Sequence, residues 1–478
     1  MPVVETSGGL LQGGTTEQGF AFLGVPFAAA SRWTPPTTQP GWSGIRGATS
    51  RGPAAPQPER AVATFTHGET PPTAEQCLNL NVFTPSLTAS RPVLVWIHGG
   101  GFAIGNGSAS LYDGARLAQA ADLVVVTINY RLGTLGWLGH PDLAQQPGDP
   151  SANWGLLDQV AALQWVRENV SGFGGDPKRV TLAGQSAGAL CAADLLVAPA
   201  AKGLFQRALL ASPPFGDVAQ APEVAASWAQ AVAEAAGLSD GFDAERMRAL
   251  DADQLVATHE ALLDDPAWRG SRGGALPTLD PATLPVSPLA DPGASPEVDV
   301  LVGHTGQEGT FFFRSPWRPP PPRERIPGIV GHLFHTDQAD GVLAEYRQRA
   351  GQRGTATDPL SLLVEIATDA MIAEPLAGWA AARTEAVAGR SRVYRYRVDH
   401  PGAGPELGAT HTVETPLFFG TWDDGGPGQR LGGQAKGAAA VATELRTAWA
   451  RFVHDGDPGW PGLTAAQPET FPVFGVAG

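Results

Sequence analysis

The sequence Gly-Gln-Ser-Ala-Gly at residues 184–188 lies between a segment typical of a strand and a segment typical of a helix. Residues 179–183 have the length and composition of a buried strand, and helical spacing of apolar residues begins at Ala187. A serine on so sharp a turn exposes its hydroxyl above the sheet, and a glycine two residues to either side leaves the backbone room to turn. The pattern therefore predicts a strand–turn–helix unit with Ser186 as a nucleophile.

The same five-residue pattern occurs once more, around Ser239 at residues 237–241. This second copy follows an alanine-rich helical stretch, so that Gly237 is typical of a residue that ends a helix. No strand pattern precedes it, and Asp240 would be a poor neighbour for a developing oxyanion. The context of the two copies favours Ser186.

Strand and helix patterns alternate along much of the chain, which predicts an α/β fold with a doubly wound, mostly parallel central sheet. Strands are predicted at residues 93–97, 123–128, 179–183, 207–211, 299–302 and 393–398. Helices are predicted at residues 153–169, from 187 onward, near 359–382 and at 438–455. We expect one domain, residues 1–478, with helical excursions near 222–264 and 315–390. The proline-rich residues 315–322 are interpreted as a loop within it rather than as a linker.

The composition excludes several classes of partner. A net charge of −15 and an isoelectric point near 5.1 argue against nucleic acid or an anionic membrane surface. The two cysteines, Cys77 and Cys191, are too few for a disulfide framework or a zinc site. Because the chain begins without a basic and then apolar segment, and contains no apolar run of about 18 residues, a cytoplasmic protein without membrane contact is expected.

A glycine-rich turn, His-Gly-Gly-Gly-Phe at residues 98–102, directly follows the first buried strand. Successive glycines allow several backbone N–H groups to face one point, and this pattern contributes to the oxyanion hole of lipases and esterases. The alternative is a flexible turn in a glycine-rich protein. With Ser186 downstream, it predicts donors that stabilise an oxyanion.

Several further segments, in their order along the chain, resemble the motifs of the type-B carboxylesterases, the family that includes the cholinesterases and bacterial p-nitrobenzyl esterases. These segments are residues 24–27 (Gly-Val-Pro-Phe), 75–82 (Glu-Gln-Cys-Leu-Asn-Leu-Asn-Val), 129–131 (Asn-Tyr-Arg), 153–159 (Asn-Trp-Gly-Leu-Leu-Asp-Gln) and 173–177 (Phe-Gly-Gly-Asp-Pro). The resemblance runs from end to end. It implies an α/β-hydrolase fold and hydrolysis of carboxylic esters through an acyl-enzyme, with no metal or organic cofactor.

The resemblance also implies an acid for the catalytic triad. The family has a glutamate in a turn after a strand, and here Gln-Glu-Gly-Thr at residues 307–310 follows the predicted strand at 299–302. From the residues alone, Glu308 could be an ordinary loop carboxylate, and Asp280 in a proline-rich stretch is its nearest rival. The chain order of serine, acid and then histidine favours Glu308.

The base implied by the resemblance is His411, because residues 411–420 resemble the family's histidine motif. Glu414 of this motif is interpreted as structural. The other histidines considered for the role, none with a comparable context, are His304, His400 and His454.

By the same resemblance, the oxyanion donors are the N–H groups of Gly100, Gly101 and Ala187. Ala187 also follows from the turn itself, because the residue after the nucleophile donates there. Since Ala187 opens a helix, the helix dipole adds to the favourable field.

The chain departs from the family pattern at several places. Gln185 replaces the usual glutamate before the serine, Gln76 replaces an aspartate, and the cysteine that pairs with Cys77 in secreted members has no counterpart nearby. Residues 211–215 differ from the family's stretch in the acyl pocket. A shortened segment at 28–33 predicts a more open entrance.

We therefore expect a serine carboxylesterase that acts on small to medium neutral esters. One alternative is a carbamate or amide hydrolase of the same fold, which relative rates on matched esters and amides would distinguish. The other is a binding module without activity, although such a protein typically loses the serine or the histidine, and both are present here. The sequence leaves the oligomeric state open.

Overall fold

The structure, a computed structural model, describes residues 1–216, 219–238, 240–263, 274, 276–334, 336–402, 406–433, 435–467 and 470–475. Ser239, the alternative to Ser186, lies outside the described residues.

Fifteen β-strands occur in the described part of the chain. They are β1 (Val3–Thr6), β2 (Gly9–Gln12), β3 (Gly14–Thr16), β4 (Gly19–Pro26), β5 (Ala28–Ala29), β6 (Thr37–Thr38), β7 (Ile45–Gly47), β8 (Asn79–Thr84), β9 (Arg91–Ile97), β10 (Val124–Ile128), β11 (Gly175–Gln185), β12 (Arg207–Ala211), β13 (Asp299–Thr305), β14 (Val393–Val398) and β15 (Val473–Phe474).

The α-helices of the described residues also number fifteen. They are α1 (Ala61–His67), α2 (Ala115–Ala121), α3 (Gly133–Trp137), α4 (Trp154–Asn169), α5 (Ala187–Val197), α6 (Pro222–Ala235), α7 (Ala244–Arg248), α8 (Ala252–Leu263), α9 (Glu308–Phe313), α10 (Ile326–Leu333), α11 (Ala339–Arg353), α12 (Pro359–Thr368), α13 (Glu374–Ala386), α14 (Glu414–Phe419) and α15 (Ala438–Asp455). Among the described residues, no helix has the length and apolar character needed to cross a membrane.

Ten strands form the central sheet in the order β15-β14-β13-β12-β11-β9-β10-β8-β4-β3. The strands from β15 to β10 run parallel, and the β10–β8, β8–β4 and β4–β3 pairs are antiparallel. All six predicted strands are present in the parallel part, which confirms the mostly parallel sheet. The antiparallel edge and a separate sheet of β1, β2 and β7 were not predicted. All ten strands belong to one sheet, which is compatible with the single domain expected for residues 1–478. The domain organisation stays a prediction.

The sheet has a hydrophobic core on each face. Along β9, Val93, Val95 and Ile97 belong to the core that contains α4 and α5, whereas Leu94 and Trp96 face the core that contains α14 and α15. A central parallel strand is buried on both faces, and this accounts for its uninterrupted apolar run. The carboxyl ends of the parallel strands meet at one edge of the sheet, between the two helical layers. Ligand-binding and active sites of open α/β sheets lie at this edge.

Two helical excursions carry smaller apolar clusters of their own. Helices α6 to α8 pack around one such cluster, and α10 to α12 pack around another. The helix predicted near 359–382 is interrupted, because a turn of π-helix at Asp369–Ala373 separates α12 from α13. A single added residue in a helical turn shifts the apolar spacing only slightly, so this turn left no clear signal in the sequence.

The two segments 129–131 and 153–159 meet through a buried ion pair. Arg131 binds Asp158 through two charged hydrogen bonds, Nε to Oδ2 at 2.8 Å and a terminal nitrogen to Oδ1 at 2.7 Å. The remaining donors of its guanidinium reach the carbonyl groups of Ser31, Thr34 and Trp154. This arrangement ties the chain before α3 to α4, so we interpret these motif residues as structural.

We expect Asp158→Asn to lower the free energy of unfolding by about 3–5 kcal/mol, because it leaves the Arg131 charge buried and uncompensated. Chemical denaturation at neutral pH measures this change. The matched control is Glu345→Gln, which removes an exposed partner of Arg349 and should change stability by less than about 0.5 kcal/mol. Equal effects of the two substitutions would contradict the prediction.

Both cysteines are free and buried. Burial raises the pKa of the Cys77 thiol to about 12 and the pKa of the Cys191 thiol well above its usual value. That Cys77 has no disulfide partner stays a prediction, and its burial is compatible with it. A thiol that stays protonated in an apolar environment behaves as a small hydrophobic side chain.

Candidate active site

Ser186 lies at the turn between β11 and α5, at the carboxyl end of a central strand. Its backbone has φ 58° and ψ −127°, a strained conformation for a residue with a side chain. A Cβ atom on Gly184 would lie 2.4 Å from the Gly188 carbonyl, and one on Gly188 would lie 2.2 Å from the Ile97 carbonyl oxygen. Both glycines are therefore required by close packing of the turn against itself and against β9.

The glycine-rich turn after β9 lies against Ser186. Gly100 and Gly101 have φ of 121° and 60°, and a Cβ on Gly99 would lie 3.1 Å from the Ser186 Cβ. Within the described part of the chain, the N–H groups of Gly100, Gly101 and Ala187 have no hydrogen-bond partner. Unpaired N–H groups beside a serine are suited to receive an oxyanion.

His98 holds this turn in place. Its Nδ1 donates to the Gly99 carbonyl at 2.8 Å, and the Tyr130 hydroxyl donates to the His98 carbonyl at 2.8 Å. The two rings are stacked with their centres 4.5 Å apart. Because burial lowers the pKa of His98 to about 4, its ring is neutral at physiological pH and acts as a structural support.

Glu308 and His411 form a buried pair. The Nδ1 of His411 donates to Oε2 of Glu308 at 2.5 Å, and both side chains are almost completely buried. Oε1 of Glu308 accepts from the Thr305 N–H at 2.6 Å and from the Ser212 hydroxyl at 2.7 Å. Burial alone would raise the pKa of Glu308, but the charge and hydrogen bond of His411, with these two donors, lower it below the usual value. The carboxylate is therefore ionised and fully hydrogen-bonded.

A second carboxyl group approaches the same site. The Ser212 hydroxyl, 2.7 Å from Glu308, also lies 3.2 Å from Oε1 of Glu414. Burial, followed by the negative charge of Glu308, raises the pKa of Glu414 to about 8. Ser212 has one proton and gives it to the ionised Glu308, so the proton between Ser212 and Glu414 belongs to Glu414. The group is a neutral acid at pH 7.

This assignment predicts a pH-dependent stability. Since the folded pKa of Glu414 exceeds its unfolded value, the stability associated with its proton is present at low pH and is lost as pH rises from about 4.5 to 8. Glu414→Gln keeps a donor towards Ser212 and has no proton to lose. We therefore expect the difference in unfolding free energy between Glu414→Gln and the wild type to shift in favour of the variant as pH rises. The shift should be up to about 1.4 kcal/mol per pH unit across that range.

Urea denaturation of both proteins at several values from pH 5 to pH 9 measures this difference. A constant difference between Glu414→Gln and the wild type would show that Glu414 does not carry the buried proton. Activity at pH 7 should stay within a few-fold of the wild type, because the amide reproduces the hydrogen bond of the protonated acid.

Ser186, His411 and the glycine-rich turn line one cavity of about 520 Å³. Its wall is largely aromatic and aliphatic, and the rings of Phe311 and Phe312 lie 5.2 and 5.5 Å from the ring of His411. Polar side chains in the lining include Arg60, His67, Tyr112 and Arg318. The predicted site residues Ser186, His411, Gly100 and Gly101 therefore meet at one cavity, with Ala187 and Glu308 directly behind its surface.

The alternative acid and bases are engaged elsewhere. Asp280 accepts from Ser151 and from backbone N–H groups of its own loop. His400 and His454 bond to carbonyl groups of Gly432 and Ala121. His304 is buried in β13, where burial lowers its pKa to about 4. None of these four side chains lines the cavity that contains Ser186.

Sequence reasoning missed the parts played by Ser212 and Gln185. Ser212 directly follows β12, between the strands that lead to Ser186 and Glu308, and its place at that edge was the available signal. From the sequence, Gln185 is a replacement for the family's glutamate, and no contact of its side chain is predicted. In the structure its side-chain nitrogen lies 3.0 Å from Nε2 of His411.

The sequence was compared with protein families and with known proteins. Residues 1–474 match the model of the carboxylesterase family. The chain belongs to the carboxylesterase family. This carboxylesterase is 35% identical to the phenmedipham hydrolase of Pseudarthrobacter oxydans, over 99% of the chain and 95% of the relative. It is 33% identical to the para-nitrobenzyl esterase of Bacillus subtilis, over 98% and 94%.

Solved structures agree. A thermophilic PNB esterase superposes with a TM-score of 0.82 at 32% identity, over 96% of this carboxylesterase and 93% of that chain. The carboxylesterase of Geobacillus stearothermophilus gives 0.80 over 98% and 95%. The α/β-hydrolase fold and the activity of a serine carboxylesterase, a hydrolase of ester bonds, are thereby confirmed.

Proposed function

We propose that Ser186, His411 and Glu308 form the catalytic triad of this carboxylesterase. The observation that carries the proposal is the 2.5 Å bond between Glu308 and His411 at the cavity that contains Ser186. The Nε2 of neutral His411 takes the Ser186 proton as the oxygen attacks the ester carbonyl. Glu308 orients the ring and stabilises the imidazolium that forms. His411 then protonates the leaving alcohol, and water releases the acyl group in the reverse sequence.

The oxyanion of each tetrahedral intermediate would be held by the N–H groups of Gly100, Gly101 and Ala187. Their unpaired state and their position beside Ser186 support this role. Such donors are effective because they already point at the place where charge develops, and no solvent has to reorganise. The N-terminus of α5 adds its dipole.

The substrate we propose is a small to medium neutral ester. Among the described residues that line the cavity there is no carboxylate, and His67 is neutral because burial lowers its pKa to about 3. Of the lining arginines, Arg60 is paired with Glu260, and Arg318 is exposed to solvent. An apolar wall without negative charge favours neutral acyl and alcohol groups over cationic ones.

A matched pair of esters tests the substrate class. The kcat/KM for butyrylcholine should exceed that for its uncharged isostere, 3,3-dimethylbutyl butyrate, by less than tenfold at physiological salt. Aromatic rings could attract the cation by about 1–2 kcal/mol, and salt screens the net charge of the protein. A preference of tenfold or more, about 1.4 kcal/mol, would mean that a negative group acts on the site.

A second candidate is hydrolysis of an N-acyl bond. One relative, 32% identical over 95% of this chain, is named "Probable N-octanoylanthranilate hydrolase", and that name describes an amide. Rates on an ester and an amide with the same acyl group distinguish the two. Ester hydrolysis remains the main proposal if the ester is turned over faster by more than the ratio of their uncatalysed rates.

We further propose a cytoplasmic, bacterial enzyme of one domain that does not bind nucleic acid. The free, buried thiols are compatible with a reducing compartment, and the negative net charge disfavours a polyanion. Cell fractionation with an antibody tests the location.

A further inference from the structure

The side chain of Gln185 lies inside the active site beside the base. The residue ends β11, precedes Ser186 and is 2% exposed. Its Nε2 lies 3.0 Å from Nε2 of His411, and a Cβ on Gly99 would lie 3.0 Å from its Oε1. The amide therefore lies between the glycine-rich turn and the histidine, with one edge on the cavity.

The direction of this hydrogen bond follows from its atoms. An amide nitrogen only donates, so the ring nitrogen of His411 must accept. The ring proton is then on Nδ1, where Glu308 accepts it. This is the neutral tautomer that a general base needs.

The same lone pair is the one that Ser186 needs. A neutral imidazole has one accepting nitrogen, and in this structure the Gln185 amide occupies it. Within the described part of the chain, Ser186 Oγ has no hydrogen-bond partner. Amide and serine hydroxyl thus compete for one acceptor.

The ring does not depend on Gln185 for its orientation. Glu308 holds Nδ1, and Phe311 and Phe312 pack against the ring. Glu414 of α14 lies beyond the Ser212 hydroxyl. The other titratable side chains that line the cavity with the ring are Arg60, His67, Tyr112, His259, Arg318 and His332. Burial lowers the pKa of His67 and raises the pKa of Tyr112, so neither changes charge near pH 7.

We propose that Gln185 is a positioning residue that occupies the accepting nitrogen of His411 in the substrate-free enzyme, so that Ser186 is activated only when the amide turns away. The bound ester causes the exchange by bringing its carbonyl to Ser186. The Gln185 amide can turn towards the cavity, which its side chain already lines. This inference rests on the triad roles proposed above.

Two variants test the competition in the full-length enzyme. Gln185→Met keeps the length of the side chain and loses the donor, and Gln185→Leu repeats the test if the methionine variant does not fold. We expect Gln185→Met to react with a fluorophosphonate about 3–10-fold faster than the wild type, with a similar gain in kcat/KM for p-nitrophenyl butyrate, because one weak hydrogen bond no longer competes. Equal or slower labelling at an unchanged Tm would overturn the inference.

Gln185→Glu should lower the activity near neutral pH, in contrast to the gain expected for Gln185→Met. A carboxylate cannot donate to neutral imidazole and instead accepts from the imidazolium. The acid midpoint of the kcat/KM profile should therefore move to higher pH by about 1–3 units, with activity recovered at alkaline pH. An unchanged midpoint would show that residue 185 does not contact the base.

A spectroscopic measurement separates this inference from the proposed function. In the Ser186→Ala background no serine competes, so the ¹⁵N resonance of His411 Nε2 should move when Gln185→Met removes the amide donor. No movement would overturn the Gln185 inference and leave the triad untouched. Labelling of wild-type enzyme at a residue other than Ser186 would instead overturn the proposed function.

Discussion

Replacing Ser186 by alanine is expected to lower kcat for an activated ester by at least about 10⁴-fold, because no other hydroxyl occupies the turn between β11 and α5. The backbone of this turn is already in place, and alanine removes only the oxygen. The protein should keep its Tm or gain slightly, since the substitution removes only a hydroxyl that has no hydrogen-bond partner among the described residues. Steady-state kinetics on p-nitrophenyl butyrate and thermal denaturation measure the two effects.

The matched control is Ser239→Ala, which changes the serine of the second Gly-x-Ser-x-Gly sequence. Its kcat should equal that of the wild type within error. Peptide mapping after fluorophosphonate labelling should place the probe on Ser186 alone. Label on Ser239 with none on Ser186 would show that the wrong copy of the pattern was chosen.

The second large effect is expected for Glu308→Gln. The amide has nearly the shape of the carboxylate but cannot stabilise the imidazolium, and it presents a donor that favours the wrong histidine tautomer. A loss in kcat of about 10⁴-fold follows if Glu308 acts as the triad acid. The change should appear in kcat more than in KM, because the charge it offsets develops only in the transition state. His411→Ala should be at least as damaging.

Glu414→Gln is the control for this experiment, since it makes the same chemical change on the other side of Ser212. Its activity at pH 7 should remain within a few-fold of the wild type. Similar losses in both variants would mean that the two carboxyl groups share the role. Near-normal kcat in His411→Ala would mean that the base is another residue.

For many local segments, the sequence predicts whether they form a helix or a strand. Runs such as residues 393–398 and 207–211 became strands with those bounds, and residues 438–455 became α15. The periodicity of apolar side chains is a local property, so it can be recognised in the sequence before the fold is known. Strands β3, β4 and β8 were missed, because β4 pairs with the distant β8 and β3 has only three residues, too few to show a periodicity.

Some residues of the candidate site could be predicted from local sequence, and others could not. Ser186 and Ala187 follow from the local sequence of one turn. The glycine-rich turn at 98–102 also predicts oxyanion donors, but Gly100 and Gly101 were assigned as the donors by the family resemblance. Glu308 and His411 came from a family resemblance, because nothing local distinguishes a carboxylate or a histidine that will be buried from one that will not.

Tertiary structure alone decided the contacts between distant segments. Ser212 meets Glu308 and Glu414 across 96 and 202 residues of sequence, and Gln185 meets His411 across 226. These contacts determine which carboxyl group keeps a proton and which donor occupies the base. Charge and hydrogen bonding at a buried site depend on the whole surroundings of a group, which exist only once the parallel strands bring their carboxyl ends together.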